Sequence, residues 1–330
     1  MSSNIQSLNQ LMVVESENTD GLLGKIVYFG LSGILVRRES LLDLCDSMNF
    51  PKPRAKRVSN GDAFRSATGD IHDRLLLDSG IYKIYFRDNK SEKGYLSREL
   101  VKEALDSTTN QYTKLANVRM SRESGVMDYE NVEHDWDVSP EDYCRKALDL
   151  FVLHQSCANS RHIKTLLEYY LASMEAIKIV PRGNMYFVPV SSSAKVGLFE
   201  EFIAALNDLN VYRQEKLASF EPLCVNSMFV VDDEKQRQKM SEAFYIAVRR
   251  EITEYMEGID KLIQSGCESK AIAARWVKKV AELKAKKTTY EATLHQKLEE
   301  TDAEYDSLQF MVNELQMKTA GPIFRAGLAA

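Results

Sequence analysis

The period of the apolar positions changes several times along the chain, and each change marks an element. Residues 22–36 are almost continuously apolar, interrupted by Lys25 and by Gly24, Gly30 and Gly33, and read as a buried strand or strand pair. Leu41, Leu42, Leu44, Cys45 and Met48 then share one helical stripe. Asn49-Phe50-Pro51 ends it, because proline disfavours helix in the residue before it. A second short helix is expected over 61–67. Residues 81–86 and 112–120 are rich in β-formers and read as strands, the latter turning at Arg122-Glu123-Ser124-Gly125 into 126–129. Between them Ser97 is placed as the cap of a helix carrying Leu100, Val101, Ala104 and Leu105. Ser139-Pro140-Glu141-Asp142 is a helix start with cap, first-turn proline and acids in order, and Ser160 caps a second helix to about residue 173. Residues 176–180 and 185–190 flank Pro181-Arg182-Gly183-Asn184 as a β-hairpin. A helix over 195–209 and a strand over 211–219 follow.

The C-terminal third has no proline between Pro222 and Pro322. Asp232 and Asp233 open a long helix to about residue 264, with Phe244, Val248, Ile252, Tyr255, Ile259 and Leu262 on one face. Ser265-Gly266 breaks it. A second helix carries Trp276, Val280, Leu283, Tyr290 and Leu294, then Leu298, Thr301, Tyr305, Leu308, Val312 and Leu315. Steps of three and four make a heptad seam, with one extra residue between Leu294 and Thr301. An antiparallel helical hairpin is expected, of ~32 residues (roughly 48 Å) against ~50 residues (roughly 75 Å). The longer helix has ~18 residues beyond its partner. Its distal part, 301–317, must therefore pack on the body, on another subunit or on a partner, and Tyr305, Leu308, Val312 and Leu315 are the expected anchors where that contact is intermolecular.

The fold expected is α+β: a mixed body over 21–230 with β-hairpins, then a helical hairpin or coiled coil over 231–320, between short tails at 1–20 and 321–330. Composition narrows the class. With 44% hydrophobic residues the 330-residue chain can fill a core, and 43 basic against 48 acidic residues (net −5) give no global nucleic-acid signature. The five cysteines form no CxxC and fit reduced thiols in a cytoplasm. Residues 1–20 lack the basic and apolar regions of a signal peptide. The fifteen residues of 22–36, with Lys25 and three glycines among them, fall short of the ~20 apolar residues a membrane helix needs. No membrane partner is expected.

Candidate chemistry is sparse. No phosphate-cradling glycine loop, HExxH or GxSxG occurs. No catalytic residue, cofactor or metal is assigned. The most suggestive acids are Asp128, Glu130, Glu133, Asp135 and Asp137 around His134, a set that a metal-dependent nuclease or hydrolase would use. His154 with His162, and His72-Asp73 with Ser66 and Thr68, are weaker constellations. Residues 25–65 hold eight basic and four acidic residues, a local excess against the chain's sign. Arg37, Arg38, Lys52, Arg54, Lys56, Arg57 and Arg65 are the candidate contacts to DNA or RNA phosphates, in two short helices around a basic turn. Tyr82, Tyr85, Tyr95, Tyr112 and Tyr129 are candidate stacking residues.

Asp62-Ala63-Phe64-Arg65-Ser66-Ala67-Thr68, then Tyr186-Phe187-Val188-Pro189 after a glycine-bearing turn, then a C-terminal helical pair occur in this order. The order resembles an uncharacterised family of prokaryotic proteins carried by phages and mobile elements. The resemblance implies that origin and a cytosolic setting, and brings no activity or site residue. The function expected is that of a non-enzymatic, oligomeric interaction protein working through its C-terminal helices. A nucleic-acid accessory role and a metal-dependent hydrolase are the alternatives.

Overall fold

The structure, a computed structural model, describes residues 21–53, 58–78, 80–89, 93–105, 111–180, 182–214 and 223–319. Numbered along the chain, the strands are β1 (Leu22–Phe29), β2 (Leu35–Arg37), β3 (His72–Leu77), β4 (Gly80–Asp88), β5 (Tyr95–Ala104), β6 (Gln111–Ser121), β7 (Met127–Glu130), β8 (Cys157–Asn159), β9 (Ile177–Lys178), β10 (Met185–Pro189) and β11 (Val225–Val231). The helices are α1 (Arg38–Ser47), α2 (Asn60–Gly69), α3 (Pro140–Ser156), α4 (Ser160–Ser173), α5 (Val196–Asp208), α6 (Val211–Gln214), α7 (Glu234–Gln264), α8 (Lys270–Leu294) and α9 (Asp302–Thr319). The class is mixed α and β with a C-terminal helical segment, as the pattern implies. These elements form two compact units, and the chain passes between them more than once. The division is not the expected one of body and helical hairpin at residue 230.

One unit holds, among the described residues, Gly21–Leu31, Leu167–Ala204 and Leu223–Thr319. Its centre is an antiparallel sheet in the order β11-β1-β10-β9. A Cβ on Gly24 would lie 2.1 Å from the Val188 carbonyl oxygen, so glycine is what lets β10 run this close to β1. On one face Phe187 meets the fully buried Tyr290 of α8 at 5.9 Å, and Phe244 of α7 meets the same ring at 4.9 Å. The Tyr290 hydroxyl donates to the Glu175 and Phe187 carbonyls, so burial costs it no unmade bond. On the other face Phe29 packs edge-on to Phe199 of α5 at 5.4 Å.

The expected second long helix is divided. His295 adopts a left-handed conformation (φ 52°) and ends α8, and α9 folds back against α7 and α8. Arg249 of α7 ties the join to Glu300 and Glu304, and Lys287 of α8 pairs with Asp302. The ~18 residues of expected overhang correspond to α9, whose 18 residues pack inside the unit.

The other unit contains Ser32–Leu166 and resumes at Ala205. Its main sheet is an antiparallel meander in the order β3-β4-β5-β6-β7. Helices α2 and α3 pack together over one face, burying Phe64, Ile84, Phe86, Leu100, Val118 and Phe151. The helix expected after Ser97 is strand β5. A bulge opposite Leu100 and Val101 buries both neighbours, which breaks the alternation and imitates helical spacing. Val211–Gln214 is a single helical turn, not the start of a strand. The apolar pattern predicts no element over β11, because Asn226 and Ser227 interrupt its apolar run. Among the described residues no helix is long and apolar enough to cross a membrane.

Candidate interaction surfaces

The C-terminal seam is used within the chain. Tyr305, Leu308, Val312 and Leu315, expected as intermolecular anchors, are buried against α7 and α8, and the Tyr305 hydroxyl donates to the Leu283 carbonyl at 3.1 Å. The chain reversal at His295 provides the partner surface that a second molecule was expected to supply. These four side chains offer nothing outward.

An unpaired apolar surface does occur on the neighbouring sheet. β11 is its edge strand. The Gly30 N–H donates to the Cys224 carbonyl at 2.9 Å, which fixes those two residues as a hydrogen-bonded pair. Antiparallel alternation then turns the backbone of Asn226, Met228 and Val230 toward Tyr28, Ile26 and Gly24 of β1. The N–H and C=O groups of Val225, Ser227 and Phe229 point the other way and have no partner among the described residues. Met228, Phe229 and Val231 are 40, 36 and 58% exposed. Residues 223–231 contain no charge and no proline, the usual guards of an open strand edge. Lys25 of β1 lies over the Phe229 ring at 4.7 Å and supports it from within the sheet.

The candidate phosphate contacts are dispersed. Arg54, Lys56 and Arg57 lie outside the described residues. Lys52 pairs with Asp46 at 2.8 Å and Arg65 approaches Asp62 at 3.5 Å. Arg37 sits in β2 and Arg38 opens α1. Arg38 and Arg161 both bear on His162, whose basicity burial depresses first and these two cations depress further. The two short helices do not pack as a recognition pair: α1 lies on the β2–β8 ribbon and α2 on α3 and β4. Of the candidate stacking tyrosines, Tyr112 and Tyr95 are 48 and 40% exposed on the meander, with Arg87 over Tyr112 and Arg119 over Tyr95.

The acidic loop is occupied by a cation from its own chain. Lys102 Nζ, with its side chain 9% exposed, lies 3.1 Å from both Asp135 oxygens and 2.6 Å from Asp137. Asp135 also accepts from the Asp137 and Val138 N–H groups. Burial favours the neutral form of both partners, but the ion pair and these N–H donors outweigh it. Asp135 is held below its usual range and Lys102 above it. Asp135 and Asp137 are therefore ligands of an ammonium group, and no set of three or more His, Cys, Asp or Glu side chains among the described residues could hold a metal ion. Sequence reasoning missed Lys102, and no spacing rule would have paired it with residues more than thirty positions away.

His154 and His162 face different partners. His154 Nε2 lies 2.7 Å from Asp70, and the Tyr212 hydroxyl reaches the same carboxylate. This tie joins the end of α2 to α3 and α6. Burial, then the Asp70 charge, raises the Tyr212 hydroxyl well above its ordinary range, so it stays a neutral donor. His72 and Asp73 are adjacent in β3 and so lie on opposite faces, while the Thr68 hydroxyl is engaged with Phe64 and Arg98.

The model of a protein family described as a family of unknown function (DUF6744) matches residues 22–321. No curated protein and no solved structure matches the chain.

Proposed function

We propose that this chain, which belongs to the family of unknown function DUF6744, is a self-assembling interaction protein that acts by association rather than by catalysis. The observation that carries the reading is the open edge of β11. Antiparallel pairing about a two-fold axis at Ser227 sets Val225 and Phe229 of one copy against Phe229 and Val225 of the other, and Ser227 against itself. The three outward-facing residues thus form a self-complementary set, in which each pair exchanges two backbone bonds. Valine against phenylalanine is a favourable cross-strand contact, and the uncharged strand brings no like charges together. The two four-stranded sheets would join into one of eight strands. Contact between nucleic acid and the basic segment is secondary in this reading, because Lys52 and Arg65 already face Asp46 and Asp62. The prokaryotic or phage-borne cytosolic setting belongs to the same proposal.

Ser227→Pro tests it cleanly. The Ser227 N–H points away from β1, so proline there removes an outward donor and leaves the β1–β11 ladder intact. Light scattering after size exclusion, across micromolar concentrations, is expected to give a dimer for the wild type and for Ser227→Thr. Ser227→Pro is expected to give a monomer with unchanged circular dichroism. A monomeric wild type, or a folded Ser227→Pro dimer, would overturn the reading.

A further inference from the structure

We propose that the loop over residues 131–137 is a docking element for a cationic protein segment, with an arginine or lysine of that partner lying on the Trp136 indole. Trp136 is 92% exposed. The exposure comes from anchoring on both sides. Glu133 N–H donates to the Leu115 carbonyl at 2.7 Å, Lys102 draws Asp135 and Asp137 toward the meander, and the Tyr82 ring lies 4.9 Å from the same ammonium. With its two neighbours turned toward Lys102, Trp136 is turned to solvent. The His134 ring then packs edge-on against it at 4.6 Å. A large exposed aromatic side chain on an anchored loop is the kind from which binding hot spots are built, because the loop backbone needs little further ordering on association.

Charge selects the partner. Residues 127–142 contain seven acids and no lysine or arginine. Arg119 answers Glu130 and Arg145 answers Glu141, while Lys102 is shared by Asp135 and Asp137. Glu133 and Asp142 have no basic partner among the described residues. A polyanion is repelled by this field, and a cationic segment is drawn to it. An indole is the strongest aromatic acceptor for a guanidinium or ammonium group, so the two features select one chemistry. The proposal is independent of self-assembly, because the loop and β11 belong to different units.

The test titrates a fluorescently labelled octa-arginine peptide into the full chain at low salt and reads anisotropy. Octa-glutamate and a single-stranded oligonucleotide are run in parallel. Octa-arginine is expected to bind, with affinity about tenfold weaker for Trp136→Ala and intermediate for Trp136→Phe. The exposed site leaves the melting temperature of both variants at the wild-type value. Octa-arginine binding that is equal in wild type and Trp136→Ala would show attraction to acids alone and overturn the proposal. So would an absence of octa-arginine binding, or Trp136-dependent binding of either anionic probe. Running the series in the Ser227→Pro chain separates loss of docking from loss of assembly.

Discussion

Lys102 is an ammonium group nearly removed from water and held by two carboxylates, and such a pair is stable only while both charges persist. The direction of each shift fixes the window. Asp135 is held below its ordinary 3.8, so its contribution is full above that value and is lost as pH falls through the lower folded value. Lys102 is held above its ordinary 10.5, so its contribution is full below that value and is lost as pH rises through the higher folded value. The loop is therefore expected to stay anchored from about pH 4 to about pH 10 and to release in acid. Fluorescence anisotropy of Trp136, taken as wild type minus Trp136→Ala, should be flat across that range and fall below about pH 4. A fall near pH 6 would place control elsewhere. The acids at 135 and 137 were legible as a cluster awaiting a cation. Their cation was not, because β5 brings Lys102 to them only after the meander has formed.

The heptad seam of the C-terminal third was also legible, and most of its positions are buried as their spacing implies. What spacing alone did not disclose is that one irregular step, between Leu294 and Thr301, is a chain reversal rather than a phase correction. Packing explains the ambiguity. A straight helix and two helices folded against a common third both bury a repeat of threes and fours. The reversal depends on a non-glycine residue at φ 52°, a conformation that histidine tolerates and β-branched residues resist. His295→Val is expected to lower stability by about 1–2 kcal/mol in urea unfolding, with His295→Gly at or above the wild type. Equal midpoints for Val and Gly would mean that this backbone conformation is not what sets the reversal. Conversely, β11 hid its role because its buried and exposed residues do not alternate. Val230 faces the helical core, while Met228, Phe229 and Val231 are exposed around it.

At the scale of the whole molecule, the change of composition near residue 231 marks a change of secondary structure and not a boundary between packed units. β1 is paired on one side with β10 and on the other with β11, some two hundred residues later, and Leu23, Phe187 and Val230 share a core with α7, α8 and α9. Non-local pairing of this kind leaves no periodic trace, so the division of the chain had to come from the structure. The consequence is testable. A chain ended at Val231 keeps all four strands of the β11-β1-β10-β9 sheet but exposes the face that Tyr290 and Phe244 cover. Losing several large buried side chains at ~2–5 kcal/mol each exceeds the stability of an ordinary domain. Hydrogen exchange is therefore expected to show the Ile26 and Phe187 amides unprotected in the shortened chain. The Ile84 and Val118 amides should stay protected, because the core beneath the meander draws on no residue of the other unit. Retained protection at Ile26 would mean that the sheet stands without its helices, and loss at all four positions would mean that the two cores unfold as one.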